Sequence, residues 1–136
     1  MAKKRIFLSP PWTGSGERSA VEAAFDTGFI APCGPMVDAF DKRLEELSRC
    51  SAAAVASGSA ALDLIFAELG VDSSCTVIAP SLTFIATIGA AVHRGAEPVF
   101  VDSDPNSGTI SIPLLEEALR TITPGRRTIV VAADIY

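Results

Sequence analysis

Three short segments combine residue types that could hold or transform a ligand. Ser57-Gly58-Ser59-Ala60-Ala61-Leu62 sets small residues and two hydroxyls where an apolar run gives way to a helical pattern. The first N–H groups of a helix have no intrahelical partner, the macrodipole favours negative charge there, and small side chains let an anion come close. A phosphate suits such a turn. An ordinary N-cap with tight packing suits the same residues, and the hexapeptide by itself leaves both readings open. It matches neither G-x-G-x-x-G nor G-x-x-x-x-G-K-[ST], which counts against a dinucleotide or a nucleoside triphosphate. In Pro80-Ser81-Leu82-Thr83-Phe84-Ile85-Ala86-Thr87, the aromatic Phe84 could lie flat on a planar ring, and Thr83 and Thr87 could cap a helix or touch a ligand. On residue type alone, core packing is the preferred reading of Phe84.

Asp102 and Asp104 in Val101-Asp102-Ser103-Asp104-Pro105 pose a second choice. Two carboxylates suggest a metal or an acid–base pair, but the continuation Asn106-Ser107-Gly108 is turn chemistry, and the turn is preferred. His93, the single histidine, ends an apolar helical segment before Arg94-Gly95 and suits a helix C-terminal cation better than a base. No Ser/His/Asp set is present. Cys33, Cys50 and Cys75 are odd in number and form no C-x-x-C pair, so neither a disulfide framework nor a zinc cage is supported and no metal site is expected. They read as reduced and partly buried.

The elements that would position these segments follow from periodicity. Phe7 to Gly16, with prolines and glycines around Trp12, reads as an extended arm lying on something else. Glu17 to Phe25 puts Val21, Ala24 and Phe25 on one helical face, with Gly28 as a stop. Ile30-Ala31-Pro32-Cys33-Gly34-Pro35 cannot be regular helix or central strand. Val37, Phe40, Leu44 and Leu47 then recur at three and four with charges between them, the pattern of a surface helix with one buried stripe. Beyond it, the apolar runs Ala53–Ala56, Thr76–Ala79, Pro98–Val101 and Thr128–Ala133 have strand length and lack alternation, as strands covered on both faces do. Helical segments separate them: Ala60–Leu69, Phe84–His93, and Pro113–Ile122 with Pro at a tolerated first-turn position. The order βαβαβαβ gives an α/β fold with a mostly parallel sheet, divided as 1–50 (arm and helices) and 51–136 (an incomplete α/β domain). Its ligand crevice would lie at the carboxyl ends of the strands.

Bulk properties bound the function. The 136 residues, 49% of them hydrophobic, suffice for a core and exclude disorder. Apolar runs are far shorter than the roughly 20 residues of a membrane helix, and Ile6-Phe7-Leu8 is too short for a signal-peptide core, so a soluble, cytoplasmic protein is expected. A formal net charge of −5 argues against a nucleic-acid partner. The last run, Thr128 to Tyr136, is a strand with no helix after it, so the sequence reads as truncated, with an open apolar edge that favours oligomers.

Taken together, these segments resemble the amino-terminal portion of the DegT/StrS family of pyridoxal-phosphate-dependent sugar aminotransferases. The resemblance rests on Leu8-Ser9-Pro10-Pro11 with Gly16-Glu17, Ile30-Ala31-Pro32, Gly34-Pro35-Met36-Val37-Asp38, Ser57 to Leu62, Pro80 to Thr87, and Gly95-Ala96-Glu97-Pro98-Val99-Phe100-Val101-Asp102. It implies the aspartate-aminotransferase type fold (fold type I), working as a homodimer with shared active sites. By that resemblance Gly58 and Ser59 would bind the phosphate of pyridoxal 5′-phosphate, and Phe84 would stack on its pyridine ring, which reverses the preference for core. Ser59 stands where the family often has Thr, and both offer a hydroxyl. The implied partners are a nucleotide-linked 4-keto sugar and an amino-acid donor, in polysaccharide or glycan synthesis.

One departure from the family is an absence. Its Schiff-base lysine, and the Asp that pairs with the pyridine nitrogen, lie in motifs beyond Tyr136, and only Lys3, Lys4 and Lys42 occur here. No catalytic residue is therefore assigned, and the chain alone is expected to be inactive, because aminotransfer needs that amine as tether and proton shuttle. A non-catalytic phosphate-binding or dimerisation module derived from the family is the alternative. An unrelated nucleotide-binding domain is a third reading, weakened by the missing Gly-rich fingerprint.

Overall fold

The structure, a computed structural model, describes residues 5–135; the basic start Met1-Ala2-Lys3-Lys4 and the final Tyr136 lie outside the described residues. The chain divides into two compact units, one ending at Ala54 and one beginning at Val55.

The first unit holds an exposed arm without regular structure and two helices, α1 (Glu17–Thr27) and α2 (Pro35–Ser48). Helix α1 stops where Gly28 takes a left-handed conformation, φ 71°, and its N–H closes on the Phe25 carbonyl. Pro35 opens α2, where its missing N–H costs nothing. The stripe expected to be buried on α2 is open: Val37 and Leu44 are half-buried, while Phe40 and Leu47 are exposed. Two short amphipathic helices supply too little chain to enclose each other's apolar faces.

Ala53–Ala56 forms no strand, contrary to its apolar run. Alanine is a weak strand former, and a backbone donor of the run and the one just before it are taken elsewhere. The Ala54 N–H donates to the Asp41 carboxylate at 2.6 Å and the Ala52 N–H to the Glu45 carboxylate at 3.3 Å, both on α2. The expected βαβαβαβ order therefore loses its first strand.

The second unit runs α3 (Gly58–Glu68), β1 (Cys75–Pro80), α4 (Ala86–His93), β2 (Glu97–Val101), α5 (Ile112–Thr121) and β3 (Arg127–Val130). The three strands form one parallel sheet in the order β2-β1-β3. The central strand β1 is buried along its whole length. Its side chains alternate: Cys75, Val77 and Ala79 pack with Phe66 of α3 and Ile88 and Ala91 of α4, whereas Ile78 joins Val101, Ile110 and the inner side of α5 on the opposite face. Burial on both faces, expected of every strand, holds for β1 alone. Phe100 on β2 and Val130 on β3 are exposed, as residues of edge strands with one face uncovered. The strand expected over Thr128–Ala133 ends at Val130, and the Val131 N–H adds one bond to the Ile78 carbonyl at 2.8 Å.

Arg126 ties the amino end of the sheet. Its guanidinium donates to the Thr76 hydroxyl at 2.8 Å and to the Ser73 and Cys75 carbonyls at 3.0 and 2.9 Å. At the other end, parallel β1 and β2 release the loops beginning at Ser81 and Asp102 side by side. Cys75 is buried, but Cys33 and Cys50 are exposed, so partial burial was the wrong expectation for those two. Among the described residues no helix is long and apolar enough to cross a membrane, and no group of three His, Cys, Asp or Glu is placed to hold a metal ion.

Candidate functional site

Ser57 starts α3 in an extended conformation, φ −165°, ψ 164°, and its hydroxyl accepts the Ala60 N–H at 3.2 Å while its carbonyl accepts the Ala61 N–H at 3.0 Å. The N-cap reading thus holds for Ser57. It does not use up the turn. The N–H groups of Gly58 and Ser59 and the Ser59 hydroxyl make no hydrogen bond to any described residue, and both residues are exposed. Beyond its chain neighbours and its own helix backbone, a Cβ built on Gly58 would meet nothing within 4 Å, so packing against the rest of the chain gives no reason for glycine there. Open donors, cleared space and the positive end of a helix dipole make this turn fit for an anion.

Helices α3 and α4 lie against each other and leave an open groove of about 540 Å³. Ala60, Ala86, Gly89 and Ala90 give it narrow walls; Ser59, Asp63 and His93 give it polar groups; Ile85 completes it. Arg94, just past α4, fixes the pair. Its Nε and Nη2 donate to the Asp63 carboxylate at 3.0 and 2.8 Å, and Nη2 also reaches the Asp63 carbonyl at 3.2 Å. Both nitrogens converge on one carboxylate oxygen, and charge-assisted contacts of this kind are stronger than neutral ones. Asp63 and Arg94 stand 31 positions apart, so no sequence spacing marks them as partners.

The loop after β1 carries Phe84, which is 75% exposed. The core reading from residue type is therefore wrong: Phe84 follows Pro80, the buried end of β1, on a loop that turns outward before α4 begins. Hydrogen bonds hold both ends of that loop. Ser81 donates its N–H to the Val101 carbonyl at 2.8 Å and its hydroxyl to the Asp102 carboxylate at 3.0 Å. The hydroxyls of Thr83 and Thr87 lie 2.8 Å apart, and the Thr87 N–H reaches the Phe84 carbonyl at 3.0 Å. Of the residues singled out from sequence, the groove brings Ser59 and Ala60 together with Ile85, Ala86 and His93; Gly58 and Phe84 are not among its walls.

The paired carboxylates after β2 resolve as structure. The Asp104 carboxylate accepts the N–H groups of Asn106 and Ser107 at 2.8 and 3.0 Å, the turn reading rather than an acid–base pair. The Ser107 N–H, and after it that of Asn106, holds this carboxyl below the usual aspartate range. His93 ends α4 exposed, in the last turn, at the groove.

Relatives carry the same framework. EpsN of Bacillus subtilis (strain 168), a candidate pyridoxal phosphate-dependent aminotransferase, is 40% identical over 117 residues, 85% of this chain and 30% of EpsN. The GDP-perosamine synthase of Caulobacter vibrioides is 32% identical over 126 residues, covering 92% of this chain and 33% of that protein. Among solved structures, the candidate sugar aminotransferase Spr1654 of Streptococcus pneumoniae in its PLP form superposes with a TM-score of 0.75 at 30% identity, over 93% of this chain and 31% of that one. The α/β architecture with its parallel sheet accordingly agrees with part of an aspartate-aminotransferase type domain. The chain spans about 30% of the length of the curated relatives it matches. The sequence fits the family pattern across residues 12–136, and the chain belongs to the DegT/DnrJ/EryC1/StrS aminotransferase family.

Proposed function

We propose that this chain supplies the phosphate-holding and ring-facing part of a pyridoxal-phosphate site in an aminotransferase of nucleotide-linked keto sugars. The carrying observation is the start of α3, where Gly58 and Ser59 offer unpaired donors beside space that a Cβ would not fill with any contact. There the two N–H groups and the Ser59 hydroxyl hold a phosphate dianion. Phe84, exposed on the loop after the central strand, gives an aromatic face for a planar ring. The cofactor, when bound, supplies the electron sink that amino-group transfer needs. The chain's own residues bind and orient. GDP-perosamine synthases among the relatives support a nucleoside-diphosphate sugar as substrate; the donor is proposed to be an amino acid and the oligomer to be built from identical copies.

No lysine occurs between Val55 and Tyr136, and Lys42 lies exposed on α2. A second reading is a non-catalytic phosphate-binding or dimerisation module. The intact mass of the native gene product separates them: about three times that of 136 residues supports the enzyme, and the mass of these residues alone supports the module.

Titration of the chain with pyridoxamine 5′-phosphate and with unphosphorylated pyridoxamine tests the site, because neither condenses with lysine amines. The phosphorylated compound is expected to bind at least tenfold tighter. Equal affinity removes the phosphate site.

A further inference from the structure

Asp102 and Phe84 belong to different segments, and the resemblance gives Asp102 no role. The geometry points to one. Phe84 is presented outward on a five-residue loop, Ser81 to Ile85, between the end of β1 and the start of α4. An exposed aromatic on a loop would ordinarily sample many orientations, and stacking on a flat partner then carries the entropy of fixing it. Here the loop is pinned on both sides. At its start, Ser81 bonds the end of β2 through its N–H to the Val101 carbonyl at 2.8 Å and the residue after β2 through its hydroxyl to the Asp102 carboxylate at 3.0 Å. At its end, the Thr83 and Thr87 hydroxyls meet at 2.8 Å across Phe84 itself.

The pin at Asp102 is itself held. The same carboxylate oxygen accepts the Ser103 N–H at 2.8 Å, and the Asp102 carbonyl accepts the Ser111 N–H at 3.0 Å, just before α5. Asp102 therefore couples the first residue after β1 to the end of β2 and the entry of α5. Its carboxylate needs no ligand contact to act.

We infer that Asp102 is a positioning residue for Phe84: by holding Ser81 it fixes the loop so that the ring stands ready for a planar ligand. The inference rests on the proposed cofactor-binding function. It concerns affinity, and it involves no covalent step.

A double-mutant cycle on the full chain tests it, with pyridoxamine 5′-phosphate as the titrant and thermal unfolding of every variant recorded alongside. Phe84→Ala is expected to weaken binding. Asp102→Ala is expected to weaken binding about threefold to tenfold, the effect of losing one hydrogen bond. Asp102→Asn, whose amide oxygen still accepts from Ser81 and Ser103, is expected to retain most of the affinity. In the Phe84→Ala background, Asp102→Ala should have no further effect, since a residue acting through Phe84 has nothing left to position. Equal losses in both backgrounds would make Asp102 a general stabiliser and overturn the inference. So would an unchanged affinity for Asp102→Ala in a protein where Phe84→Ala does weaken binding. If Phe84→Ala changes nothing, the ring-facing role fails first, and the inference fails with it.

Discussion

Ser57, Gly58 and Ser59 divide two tasks among three adjacent residues. Ser57 serves the helix: its hydroxyl takes the Ala60 N–H, so Ser57→Ala is expected to lower unfolding stability by about 1 kcal/mol in urea titration. Gly58 serves no packing contact. Gly58→Ala should leave the urea midpoint unchanged or slightly raised, because alanine is the better helix former, while weakening pyridoxamine 5′-phosphate binding through the added methyl. Ser59→Ala should cost about 0.5–1.5 kcal/mol of that binding with little change in stability. A loss of stability for Gly58→Ala, with affinity intact, would argue that the glycine is structural. Asp104 belongs to the same scale. Its carboxyl is held low by the Ser107 and Asn106 N–H groups, so its contribution is present above the ordinary aspartate pKa and is lost as pH falls through the lower folded value. Hydrogen exchange at Asn106 and Ser107, taken relative to the intrinsic rate at each pH, should lose protection only in that acid range. The hexapeptide Ser57–Leu62 could be read from sequence as cap or as anion site because the same backbone donors serve both; which donors remain open depends on where the Ser57 hydroxyl turns, and no spacing encodes that.

Among the elements, β1 carries the second unit. It is the only described strand buried throughout, with Ile78 facing one core and Val77 the other. Ile78→Ala should therefore cost about 2–5 kcal/mol, whereas Val130→Ala on the edge strand should cost about 1 kcal/mol or less, in the same denaturant assay. Comparable losses at the two positions would contradict the sheet order. The helices were legible to within two residues or so at each end, because their apolar periodicity and the stop at Gly28 are local signals. Three of four strands were legible for the same reason. Ala53–Ala56 misled because an apolar run says nothing about where its N–H groups go, and here Asp41 on the preceding helix takes that of Ala54 while Glu45 takes that of Ala52 just before the run. Phe84 misled in the opposite direction. Its side chain is apolar, yet the outward loop is set by the Ser81–Asp102 bond across 21 positions.

For the whole molecule, the distribution of amines and of apolar surface matters most. Lysines occur only at 3, 4 and 42, all before the second unit. Borohydride reduction in the presence of pyridoxal phosphate is therefore expected to label the amino terminus and lysines without preference; stoichiometric labelling of one lysine would contradict the division of roles proposed here. Exposed apolar side chains on both units, among them Phe25, Phe40, Leu64, Phe100 and Val130, lead to an expectation of self-association, which light scattering against concentration would read. A strictly monomeric chain at high concentration would count against it. The central claim is that one ligand engages the start of α3 and the loop after β1 together. Chemical-shift perturbation by NMR, with pyridoxamine 5′-phosphate titrated into isotope-labelled chain, tests it most directly. The account predicts that the Gly58 and Ser59 amides and the Phe84 ring shift along one saturating curve, with unphosphorylated pyridoxamine failing to move the amides. Shifts at Phe84 without Gly58 and Ser59, or at neither, would contradict it.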